Sequence, residues 1–136
     1  MVNPKIGSLI DEFMKTQKDF EANGMVSVWI GDFSTDVQFD RYMNLTKEFE
    51  KDFGFTVDNG SIREGVVENS PRPIAQLVEG FSRWKHFVFA VAESAEKMGI
   101  CQATTMIVFY GVNYNPLMGA INSHAPLKFV GAFRFN

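Results

Sequence analysis

Residues 25–42 read Met-Val-Ser-Val-Trp-Ile-Gly-Asp-Phe-Ser-Thr-Asp-Val-Gln-Phe-Asp-Arg-Tyr. Val26, Val28 and Ile30 alternate on one side of a strand, and Gly31 stands near its end. Thr35 and Gln38 have capping-box spacing, and Phe39 and Tyr42 follow at helical intervals. The stretch therefore predicts a strand at about 25–32 running through a tight junction into an amphipathic helix at about 35–46. Phe49 and Phe53 keep the helical spacing, so a continuation or a second turn reaches Phe53, with Gly54 as its stop. Trp29 beside Gly31 reads as a core aromatic rather than a contact residue.

Upstream, Asn3-Pro4 has the form of an N-cap followed by a first-turn proline. Ile6, Leu9, Ile10, Phe13 and Met14 repeat at helical spacing, so the reading is a helix running to Asn23-Gly24. Downstream, Asp58-Asn59-Gly60 is a turn signal before a short strand from Ile62 to Glu68. Asn69-Ser70-Pro71-Arg72-Pro73 reads as a breaker, and Ile74, Leu77, Val78 and Phe81 as a short helix. Ser82 is the expected cap of a longer helix. Trp84, Phe87, Val88, Val91, Ala95 and Met98 form its apolar face, and Gly99 stops it. Residues 102–110 are apolar on both faces, as in a central strand. A loop at 111–126 leads to a last strand at 127–135, where Phe129, Phe133 and Phe135 alternate with Lys128 and Arg134. The expected fold is α+β, a single domain over 1–136: a small mixed, mainly antiparallel sheet of about four strands covered by about four helices.

A chain of 136 residues with fourteen Phe has ample material for one core without disulfides or metal. No apolar run approaches the roughly 18 residues of a membrane helix. Asp11, Glu12, Asp19 and Glu21 occupy the region where a signal peptide needs an apolar centre, so a cytoplasmic protein without membrane contact is expected. The single cysteine, Cys101, reads as a small buried or strand-start residue. Two isolated histidines, His86 and His124, have no metal-ligand spacing, and no phosphate-binding glycine motif is present, so neither cofactor nor metal is expected. Ser82 and His86 stand at i, i+4, but nothing supplies a third member or an oxyanion hole, and no catalytic residue is assigned.

The net charge of −3 is distributed unevenly. Residues 32–58 hold Asp32, Asp36, Asp40, Glu48, Glu50, Asp52 and Asp58 against Arg41, Lys47 and Lys51, whereas 101–136 contain no acid. An acidic side and a pI of about 5.3 argue against nucleic acid and for a basic partner. The plainer reading, a solvated helix face, is compatible with it.

The pattern V-x-V-W-I-G-x-F-x-x-x-x-x-F-x-x-Y from Val26 to Tyr42 resembles the bacterial immunity protein 22 family. The acidic-aromatic segment Glu48 to Phe55, the short helix 74–81, the capped helix 82–99 and the strand 103–110 follow in the family's order. The resemblance covers about 25–110, with the first 23 residues and the strand at 127–135 outside it. It implies a non-enzymatic inhibitor that binds a cognate toxin domain of a polymorphic toxin system, often a nuclease. On that basis Asp36, Asp40, Glu48, Glu50, Asp52 and Asp58 are the expected toxin contacts, with Phe55 as an exposed aromatic anchor. Two alternatives differ in class. One is a homodimeric binding module pairing through the C-terminal strand. The other is a small enzyme with a pocket at the 111–126 loop, including Tyr114 and His124.

Overall fold

The computed structural model describes residues 15–117 and 122–136. A four-stranded sheet runs through its centre in the order β4-β5-β2-β6, made of β2 (Glu21–Gly31), β4 (Arg63–Pro73), β5 (Gln102–Val112) and β6 (Leu127–Arg134). Every neighbouring pair in it is antiparallel. Parallel pairing is confined to β1 (Lys15–Thr16) with β3 (Phe55–Thr56). The fold is α+β, as expected.

Helices cover both faces. On one, α3 (Ile74–Val78) and α4 (Val88–Lys97) close over Val26, Val28, Ile30, Met106 and Val108. On the other, α1 (Asp36–Asp40), a π-helical segment (Arg41–Leu45) and α2 (Glu48–Phe53) close over Trp29, Ile107, Phe109 and Leu127. The strict alternation of β2 is what separates the two cores, because successive side chains of a strand point to opposite faces. Trp29 is fully buried and is surrounded by the rings of Phe49, Phe53, Phe55, Phe109, Tyr114 and Phe129 at 5.0–6.3 Å between centroids. Those separations fall in the range of favourable edge and tilted aromatic contacts.

Several expectations change. The helix expected from Asn3 lies outside the described residues up to 14. From Lys15 the chain is β1, a 3-10 turn (Gln17–Phe20) and then β2, so no helix reaches Gly24. Gly24 instead sits in an irregular stretch of β2, where the register against β5 shifts between Glu21 and Val26. The proposed breaker at 69–73 is the end of β4. Its prolines are tolerated because β4 is an edge strand whose register is bulged between Val67 and Arg72.

Ser82 does not cap the long helix. Its backbone N–H donates to the Glu64 carboxylate at 3.1 Å and its carbonyl accepts the Tyr110 hydroxyl. A 3-10 turn (Trp84–His86) intervenes, and α4 begins at Val88 with Phe87 at the N-cap. Of the expected apolar face, Phe87, Val88, Val91 and Ala95 are buried, whereas Met98 is exposed. Cys101 stands just before β5, as a strand-start residue, but it is exposed rather than buried.

Candidate partner-binding surface

The junction after β2 is built residue by residue. Gly31 leaves no room for a side chain, because a Cβ there would stand 2.4 Å from the Pro126 carbonyl oxygen. Asp32 Oδ1 accepts the Thr104 N–H at 3.3 Å. Phe33 is pinned by its own N–H to Thr105 Oγ1 (3.1 Å) and by its carbonyl, which accepts the Thr104 hydroxyl (2.8 Å). The Phe33 ring packs on Phe39 and Tyr42. The distinctive stretch from Trp29 to Phe33 is thus occupied with holding β2 to β5 and aiming the chain into α1.

Thr35 caps α1 by accepting the Gln38 N–H at 3.2 Å, and Gln38 Oε1 reaches back to the Ser34 N–H. The helix then widens. Thr46 N–H bonds to the Arg41 carbonyl five residues back at 2.8 Å, the closure of a π turn. Lys47 follows with φ 55°, ψ 35°, a left-handed conformation that non-glycine residues seldom adopt. Of a continuation or a second turn to Phe53, the chain forms the second, two helices with a break between them. Phe39, Tyr42, Met43, Phe49 and Phe53 still face the core, Phe39 half-buried and the others buried. Gly54, φ 73°, ends α2 with its N–H on the Glu50 carbonyl.

The acidic residues separate into two groups. Asp36 and Asp40 are exposed on α1, Glu48 in the first turn of α2, and Asp58 at the turn between β3 and β4. Of these, Asp40 Oδ1 is held by the Asn44 amide at 2.7 Å. Glu50 and Asp52 are half-buried and tied into the fold. Glu50 Oε2 accepts the Val57 N–H at 2.7 Å, and Asp52 accepts the Tyr42 hydroxyl at 2.7 Å and the Asn122 amide at 3.0 Å. Burial, then the Asp52 bond and charge, hold the Tyr42 phenol un-ionised far above its ordinary range.

Two surface depressions bring some of the acids together. One of about 190 Å³ joins Glu50 and Asp58, with Lys47 and Arg63 in its wall. Another of about 280 Å³ joins Glu48 and Asp52 with Lys51. Asp36 and Asp40 line neither. Phe55 is not an exposed anchor: its relative exposure is 0%, and it packs against Phe20, Phe49 and Tyr114. Pairing of β3 with β1, forty residues distant in sequence, draws it inward.

Within the 111–126 loop Tyr114 and His124 stand in different surroundings. Tyr114 is buried, donating its hydroxyl to the Phe53 carbonyl at 2.7 Å, while His124 is exposed and Met118 to Ile121 lie outside the described residues. Apolar side chains are displayed where the sequence reading noted only charge. Val37 and Leu45 are exposed on this helical layer. Their signal was present, since Val37 and Leu45 stand at i, i+8 opposite the buried Tyr42 and Met43.

The helical layer is locked on its inner side into an aromatic core and carries mixed acidic and apolar side chains on its outer side. Among the described residues no group of three or more His, Cys, Asp or Glu is placed to hold a metal ion, and no helix is long and apolar enough to cross a membrane. A family model described as Immunity protein 22 matches residues 26–136, and the chain belongs to that family. The match carries the resemblance beyond residue 110 and includes β6. Comparison with curated proteins and with solved structures finds no match.

Proposed function

We propose that this chain is a non-enzymatic immunity protein: one cytoplasmic domain that binds a cognate toxin of a polymorphic toxin system and blocks it. Membership of the Immunity protein 22 family is the observation that carries this reading. The toxin we favour is a nuclease. A nuclease presents a basic phosphate-binding cleft, and an acidic helical layer complements it, speeds encounter and loses strength as salt screens it. Asp36, Asp40, Glu48 and Asp58 are the acids whose exposure suits them to this contact. Glu50 and Asp52 contribute field from their half-buried positions while also bracing α2.

The test is charge reversal at Asp36, Asp40, Glu48 and Asp58, leaving Glu50 and Asp52 intact so that the fold is not disturbed. The quadruple Lys variant is expected to retain its thermal midpoint within a few degrees. It should bind the toxin domain at least tenfold more weakly at low salt, mostly through slower association. Unchanged affinity and unchanged protection of toxin-expressing cells would place the interface elsewhere.

A further inference from the structure

The outward side of the α1 and π segment carries apolar side chains where a surface helix ordinarily carries charge. Val37 is 73% and Leu45 71% exposed, with Arg41 between them. Arg63, at the start of β4, donates its guanidinium to Asn44 Oδ1 at 2.7 Å, so α1, the π turn and the start of β4 share an outer surface. Ile62, 69% exposed, stands opposite Tyr110 and belongs to the other face of the sheet. Stable interfaces place apolar anchors at the centre and charge at the rim.

We infer that Val37 and Leu45 form the apolar centre of the toxin-binding surface, rimmed by Asp36, Asp40, Glu48 and Asp58, and that its occupant is a toxin domain presenting an apolar depression edged with lysine and arginine. The inference rests on the immunity reading. Charge selects the occupant: residues 32–63, Arg63 included, carry seven acids against four bases, in a chain whose total is −3. A second copy seated there across a two-fold axis would set acid rim against acid rim. A nucleic acid would meet the same repulsion. The anchor role assigned to Phe55 from the sequence passes to these two residues.

The competing anchor is Phe89, 82% exposed on α4, which covers the opposite face of the sheet and follows the 3-10 turn that holds Lys85 and His86. It supplies the control. The probe is an inactivated toxin domain encoded beside this chain's gene, titrated against the full chain, Val37→Ser/Leu45→Ser, Asp40→Lys/Glu48→Lys and Phe89→Ser at low and high salt. The serine pair is expected to keep the wild-type thermal midpoint and to lose at least thirtyfold in affinity at both salt concentrations, because apolar contact is not screened. The lysine pair should lose affinity chiefly at low salt, and Phe89→Ser should bind as wild type. Wild-type binding by the serine pair, with loss in the lysine pair, would overturn the apolar centre and leave the acidic reading intact. Loss confined to Phe89→Ser would move the interface to α4 and overturn the inference. A wild-type chain that neither binds the toxin domain nor protects cells from it would overturn the immunity reading and the inference together.

Discussion

Trp29 is held by rings rather than by a hydrogen bond. Its indole Nε1 is buried with no partner, while six aromatic side chains enclose it. Trp29→Ala is therefore expected to destabilise the protein by about 3–5 kcal/mol, the cost of emptying a buried aromatic site. Trp29→Phe should cost less, since the lost N–H satisfies nothing. Urea unfolding of both variants checks this, and a fully stable Trp29→Ala that no longer binds a toxin would make the residue a contact instead. That Trp29 belongs to the core was readable from its place on an alternating strand. The burial of Phe55 was not, because Gly54-Phe55-Thr56 has no periodicity of its own and is drawn inward by a strand forty residues away. For the same reason Asp52 and Asp36 look alike as sequence, although one braces Tyr42 and the other only meets solvent.

At the scale of elements, the β2-to-α1 junction depends on Gly31. An added Cβ would meet the Pro126 carbonyl at 2.4 Å and Leu127 Cδ2 at 2.7 Å, and the first of these is backbone that cannot rotate away. Gly31→Ala should cost about 1–3 kcal/mol, as overpacking does, by prising β6 from β2. A lowered thermal midpoint with unchanged affinity for the toxin domain is the expected pattern; loss of binding at full stability would make the glycine part of the interface. The strands at 102–110 and 127–135 and the start of the helix capped by Thr35 are legible to within two residues. The errors arose where distant pairing overrides local signal, as at the prolines of β4 and at Ser82, whose backbone is taken up by Glu64 and Tyr110. The free side of β6 bears on self-association. It carries Lys128 and Arg134, and its register shifts around Val130, whose carbonyl accepts the Ser94 hydroxyl at 2.7 Å. Edge charge and a bulge are devices that discourage strand pairing.

Across the whole molecule, one titration reports on both cores. The chain has three tyrosines, and each hydroxyl is committed as a donor: Tyr42 to Asp52, Tyr110 to the Ser82 carbonyl, and Tyr114 to the Phe53 carbonyl. Burial is the first cause of an upward shift in all three. Tyr114 is pushed up to about 12, and Tyr42 and Tyr110 shift further in the same direction, helped by the carboxylates of Asp52 and Glu64. A phenol whose folded pKa lies above its unfolded value contributes stability that is complete below the unfolded value of 10.0 and is lost as pH rises toward the folded one. Stability should accordingly be flat with respect to these groups up to about pH 10 and fall steadily above it. Because Tyr42 and Tyr114 lie in the core beneath α1 and α2, and Tyr110 packs against the core beneath α3 and α4, ionising any of them works against the closure of a layer. Phenolate absorbance and loss of far-ultraviolet circular dichroism are then expected to appear in one transition during an alkaline titration. Tyr114→Phe, which removes one of the linked protons, should make the decline of stability above pH 10 shallower. A tyrosine that titrates near 10 while the circular dichroism is still native would mean that its hydroxyl is open to water, and the layer covering it is looser than its hydrogen bonds imply.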